Sequence, residues 1–198
     1  MKLISKKKGE AIAWNDADYV VQPIVNGERT WCKFYTTWKD MLTRAYSPKY
    51  HARRPTYIGT TICKEWHTFS VFRAWMEQQD WQGKALDKDI IIRGNKHYSP
   101  ETCCFVSSKV NLLLNYNAAS RGDLPLGVYL FRNKYRSQCS DGTGKNTILG
   151  LYDTPEQAHS AWRKFKITVI DSVIATLSDT RVIDGLNRHK ALLSQTSV

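Results

Sequence analysis

The stretch NAASRGDLP, residues 117–125, divides the chain into two unlike halves. Gly122, Asp123 and Pro125 are breakers, and neither a helix nor a central strand runs through them. Before this break, apolar residues recur at helical spacing. After it, they alternate in short strands and only then return to helical spacing. A chain of 198 residues accommodates one large domain or two small ones, and the change of period favours two of the α+β class. Hydrophobic residues make up 42%, enough for packed cores. No internal repeat or low-complexity segment is visible.

Upstream, YVVQPIVNGERTWCKFY predicts a hairpin turned at Asn26-Gly27. TTWKDMLTRAY places Trp38, Met41, Leu42 and Ala45 on one helical face, with Thr37 as its cap. SPKYHARRPTYIG reads as a loop in which Lys49, His51, Arg53 and Arg54 alternate with Tyr50 and Tyr57, a mixture suited to phosphates and base faces. TICKEW reads as a short strand. FSVFRAWMEQQDW brings Phe69, Phe72, Trp75 and Met76 together on a second helix. A strand is expected over Leu86–Ile92, then a polar loop with Gly94 and Asn95, then a restart at Ser99-Pro100-Glu101. Cys104-Phe105-Val106 reads as a strand, and Ser107-Ser108 offers a fresh cap for the helix after it.

Downstream, the pattern predicts a three-stranded antiparallel sheet packed on one helix. Thr154 caps that helix, Pro155 takes its first position and Glu156 follows. Ala158, Ala161, Trp162, Phe165 and Val169 form its expected buried stripe. From Lys134 to Cys139, alternation puts Lys134, Arg136 and Gln138 on one face and Tyr135, Ser137 and Cys139 on the other. The helix should cover the second face, which leaves the cations and the amide outward. Arg132 and Lys145 extend that outward surface.

Lysine and arginine number 29 against 18 acidic residues, a net charge of +11. Such a surplus points to a polyanion, above all nucleic acid. The charge is uneven: residues 1–55 carry +6, residues 56–119 carry +1 and residues 120–198 carry +4. Two positive ends suit a long phosphate backbone better than a small anion. No apolar run approaches the length of a membrane span. The five cysteines are odd in number and lack C-x-x-C spacing, which argues against a disulfide framework and suits reduced thiols in a cytoplasm.

The segment Leu126–Ile170 resembles the Apetala-two, or ethylene-response-factor, DNA-binding domain. Its signposts are Gly127-Val128, Lys134-Tyr135 and the run LGLYDTPEQAHSAW from Leu149 to Trp162. Tyr129 stands where that family usually has arginine, and Ile148 where it often has tryptophan. The resemblance implies a sheet that reads the major groove of double-stranded DNA. Arg132, Lys134, Arg136, Gln138 and Lys145 are then the expected contacts, with Arg53 and Arg54 adding a grip from the first half.

The segment Phe34–Leu114 resembles the HNH homing-endonuclease-like proteins of tailed bacteriophages, of the ββα-metal type. In that pattern a histidine deprotonates the attacking water, and one divalent metal stabilises the leaving oxygen. The base position here is Lys88, between Asp87 and Asp89, and the loop asparagine position reads Tyr98-Ser99. If the site works, Asp87 and Asp89 would hold Mg²⁺ or another divalent metal, and His97, or alternatively His67, would act as base. If it does not, the scaffold is a degenerate HNH-like DNA grip. The implied location is the cytoplasm of a phage's host, with a host protein as a further class of partner. The expected layout is a basic arm at 1–18, an HNH-like domain at 19–116, a linker at 117–126, the DNA-binding domain at 127–178 and a tail at 179–198.

Overall fold

The computed structural model describes residues 2–7, 10–114, 123–141, 143 and 145–195. It is a mixed α+β protein with small sheets and, among the described residues, six α-helices. It divides into two compact units, residues 1–105 and 106–198. The expected linker lies largely within 115–122, outside the described residues. Among the described residues no helix is long and apolar enough to cross a membrane.

The first unit opens with a hairpin of β1 (Lys2–Lys7) and β2 (Glu10–Asn15). These residues were expected as a polar arm. They are ordered instead because Ala13 is buried in the core and Trp14 bridges to Thr68. Next, β3 (Ile24–Val25) and β4 (Glu28–Arg29) turn at Asn26 and Gly27, both with positive φ, as the Asn-Gly pair predicts. Helix α1 (Lys33–Tyr46) begins a turn earlier than the expected Thr37 cap, and Thr37 instead donates to the Lys33 carbonyl at 2.9 Å. The extra turn buries aromatic surface: Phe34 lies edge-on to Trp81, and Tyr35 packs on Trp38 and Phe69.

Residues 48–57 form helix α2 (Pro48–Arg53) and a 3₁₀ turn rather than a loop. Ser47 caps α2 by accepting from the Tyr50 N–H, and Pro48 supplies the preset first-turn φ. Strand β5 (Thr61–Ile62) leads into a 3₁₀ turn and helix α3 (Phe69–Glu77), which buries Phe69, Phe72 and Met76. Trp38, Met41, Trp66, Phe69, Phe72 and Met76 form a nearly solvent-free centre, and the Trp38 indole N–H donates to the Trp66 carbonyl at 2.7 Å.

Three short strands follow: β6 (Ala85–Asp87), β7 (His97–Tyr98) and β8 (Cys104–Val106). Strand β7 pairs in parallel with β5, while β6 neighbours β8. Ser99-Pro100-Glu101 makes a turn. Ser107 caps helix α4 (Ser108–Leu113) by accepting from Val110 N–H at 3.3 Å, as expected.

In the second unit, β9 (Val128–Phe131), β10 (Lys134–Ser140) and β11 (Asn146–Tyr152) form an antiparallel sheet with β10 central. Helix α5 (Pro155–Ile174) packs on it, capped by Thr154. Its buried stripe holds Ala158, Trp162 and Val169 as expected. Ala161 and Phe165 are only half-buried, and Lys166, Ile170 and Val173 are buried in addition. Helix α6 (Thr180–Gln195) packs on α5 through Val182, Gly185, Leu186 and His189. Those residues were expected as a tail, and α6 is why the far end of α5 is covered.

Candidate nucleic-acid interface

Strand β6 stops at Asp87 for a local reason. The Asp87 carboxylate accepts the backbone N–H groups of Asp89 at 2.7 Å and Ile90 at 2.8 Å, closing a turn of the chain onto itself. The expected strand over Leu86–Ile92 is therefore cut short. Asp89 lies beyond the strand, so alternation does not align it with Asp87. Burial raises the Asp87 carboxyl above its ordinary value, despite the two donors.

Lys88, expected from the sequence to stand where the HNH pattern has its histidine, is only 7% exposed. Its ammonium donates to both oxygens of Asp89, at 2.7 and 2.9 Å, and to the Asn95 carbonyl at 2.8 Å. The rings of Tyr57 and Tyr98 stand 5.6 and 5.9 Å from it. Asn95 completes the lock: its amide donates to the carbonyls of Lys88 and His97, and its oxygen accepts the His97 N–H. A buried ammonium is tolerated because all three of its protons are engaged.

The two candidate bases are also engaged. His97 is exposed, and its Nδ1 meets the Thr61 hydroxyl at 2.8 Å. In His67, Nδ1 faces the Lys64 carbonyl, which can only accept, so that nitrogen carries the proton. Nε2 then accepts from the Tyr46 hydroxyl at 2.8 Å. Among the described residues no three of histidine, cysteine, aspartate and glutamate gather closely enough to hold a metal ion. Asp89 is held by Lys88 and Asp87 by its own backbone, an arrangement that does not fit a divalent cation shared between them. The nearby Cys103 offers no nucleophile at neutral pH, since burial pushes its thiol up to about 12.

A small cavity of about 110 Å³ lies between α1 and β6, lined by Lys33, Thr37, Asp40, Arg44 and Lys84. It is well short of the few hundred Å³ that a nucleotide-sized ligand needs. Arg53 and Arg54 are exposed at the end of α2. The rings expected to interleave with them are not all free, because Tyr50 and Tyr57 pack edge to face.

The second unit presents a different surface. Ser137 and Cys139 are buried beneath the sheet, while Lys134, Arg136 and Gln138 face outward. Cross-strand pairing places Tyr129 and Leu151 on either side of Arg136, Phe131 beside Lys134 and Ile148 beside Gln138. The Arg136 guanidinium lies 5.8 Å from the Tyr129 ring centre and 5.5 Å from that of Phe131. Its Nε is shielded from solvent and has no hydrogen-bond partner. Lys134 is paired with Asp153 at 2.8 Å, both well exposed, so the pair is easily exchanged for another anion. Lys145 and Arg132 are exposed at the rim.

A bulge in β11, invisible to sequence periodicity, shapes this face. Ser137 pairs with Gly150 and Gln138 pairs with Ile148, so Leu149 is the extra residue. Residues 148 and 151 would fall on opposite faces of a regular strand. The bulge turns both outward, leaving Ile148 61% and Leu151 50% exposed. Gly150 accommodates it with φ of 147°.

Arg132, in the β9–β10 turn, has φ of 54°, an arrangement that costs a side-chain-bearing residue roughly 1–2 kcal/mol. Strain of this kind is tolerated where a side chain is useful. Arg132→Gly is expected to raise the unfolding free energy by about 1 kcal/mol in a urea titration. An unchanged unfolding free energy would mean that the turn carries no such strain.

No family model, curated protein or solved structure matches the chain.

Proposed function

We propose that this chain is a double-stranded-DNA-binding protein that reads the major groove with the β9–β11 sheet. The first unit, on this reading, is an HNH-like scaffold that has exchanged its catalytic base for a structural lysine and serves as a grip. The carrying observation is Arg136. A guanidinium with an unsatisfied Nε stands between two rings at the centre of a rigid sheet face, surrounded by further cations. Its fork suits the two acceptors of a guanine edge, Gln138 suits adenine, and Lys134 and Lys145 suit phosphates. Such a binder, encoded by a phage, would serve regulation or counter-defence.

The test is a binding titration on specific and scrambled duplexes over a salt series. Arg136→Ala should lose about 1–3 kcal/mol of discrimination between them. Lys134→Ala should weaken both duplexes alike and lower the salt slope by about 1. Unchanged affinity in both variants would take the sheet out of the DNA interface and favour a protein partner. Incubating supercoiled plasmid with Mg²⁺ or Mn²⁺, with EDTA as control, should produce no nicking. Metal-dependent cleavage would show that the carboxylates at 87 and 89 can be released for catalysis.

A further inference from the structure

We infer that Ile148 and Leu151 make the sheet a reader of thymine methyl groups beside the guanine taken by Arg136. This rests on the DNA-binding reading and deepens it by naming the base class. The observation is the bulge: by inserting Leu149 it puts Ile148 and Leu151, which a regular strand would hold on opposite faces, together on the outward one. Isolated exposed aliphatics need no explanation. These two are not isolated, because they flank the guanidinium and amide row directly, opposite Arg136 and Gln138 in the ladder.

The occupant of this face follows from its charge. Arg132, Lys134 and Lys145 ring it, and residues 120–198 carry +4. An apolar protein surface would have to strip water from those cations, whereas a DNA groove offers phosphates to the rim and base edges to the centre. Among groups displayed in the major groove, only the thymine C5-methyl is apolar. Adjacent strands lie about 4.8 Å apart, and successive base pairs about 3.4 Å apart along each strand. A side chain on β11 next to one on β10 therefore meets a base one or two steps away. Guanine with thymine within two steps is the expected signature.

Replacing thymine by uracil removes the methyl and leaves every hydrogen-bonding group in place, so it isolates this contact. The experiment uses the full chain and a pool of random duplexes. Binding rounds select sites, and the selected duplex is then resynthesised with uracil for thymine. Selected sites should hold guanine with neighbouring thymine, and uracil should weaken wild-type binding about fourfold per contacted methyl, the value of one buried methyl-sized group. Ile148→Ala and Leu151→Ala should bind the thymine duplex more weakly and lose their sensitivity to uracil. Both side chains are half-exposed or more, so these variants keep the core intact, and thermal melting verifies it. A selected site without thymine, or equal affinity for the two duplexes, overturns the methyl reading and leaves DNA binding standing. A pool that never enriches removes the DNA-binding reading, and the methyl reading with it.

Discussion

Gly127→Ala should cost the second unit about 2–5 kcal/mol. Gly127 has φ of 74°, where a Cβ costs roughly 1–2 kcal/mol. That Cβ would also stand 1.9 Å from Trp162 Cδ1, 2.3 Å from Cγ and 2.5 Å from Nε1. Overpacking of this kind adds about 1–3 kcal/mol. The indole cannot easily move aside. It is 4% exposed and stacked on His159, with ring centres 5.4 Å apart and planes within 12°. His159 in turn is held by the Leu126 carbonyl at 2.9 Å, and the Gly127 carbonyl accepts Gln138 N–H at 2.8 Å. Backbone, imidazole and indole thus hold one another, and the substitution loosens the connection between helix and sheet. Each kcal/mol corresponds to about 4–8 °C of melting temperature in a domain of this size. Thermal melting followed by tryptophan fluorescence would check it. A melting temperature within 3 °C of wild type would mean that Trp162 has room to shift. Under the DNA-binding proposal, affinity should fall with stability, since α5 supports the sheet.

Lys88→Met should destabilise the first unit by about 2–3 kcal/mol. Methionine keeps much of the stem and removes the ammonium, so the loss is that of charged hydrogen bonds, about 1.5–3 kcal/mol, and not of volume. Asp89 is 51% exposed and can turn to water. The Asn95 carbonyl keeps no such freedom, because Asn95 is tied to Lys88 and His97 through its own side chain. The consequence is local: the 88–97 loop should gain hydrogen exchange before the rest of the unit opens. Under the DNA-binding proposal, affinity should weaken only modestly, and no new pH dependence should arise. Lys88→His should not confer cleavage, since a ring of that length cannot replace the ammonium between Asp89 and Asn95, and the carboxylates remain ungathered. Wild-type stability in Lys88→Met would show that the lock is incidental. Cleavage in wild type that vanished in Lys88→Met with binding intact would make Lys88 catalytic.

Some of this was written in residues that act on their near neighbours. Asn26-Gly27 makes its turn alone, because two adjacent residues that tolerate positive φ suffice. Thr154, Pro155 and Glu156 start α5, and Ser107 starts α4, because a cap reaches only three residues ahead. The stripes of Trp38, Met41, Leu42 and Ala45, and of Phe69, Phe72 and Met76, were legible from spacing. So was the outward row of Lys134, Arg136 and Gln138, since a regular strand alternates whatever it packs against.

Other features depend on partners far along the chain or on backbone geometry that no period records. The strand expected at 86–92 yields at Asp87, where one carboxylate takes two backbone donors. Lys88 is a hub because Asn95 and two tyrosines surround it, one of them 31 positions earlier. Residues 180–195 become a helix against α5, where their apolar face finds cover. The bulge at Leu149 reverses the side of every residue after it, so a strand read by alternation alone puts Ile148 and Leu151 on opposite faces. Sequence by itself determined where elements begin and which residues favour them, since those are short-range energies. Tertiary structure decided which strand end closes, which lysine is buried and which aliphatics meet the solvent, because each is set by a contact whose two halves are distant in the chain or by one residue of register.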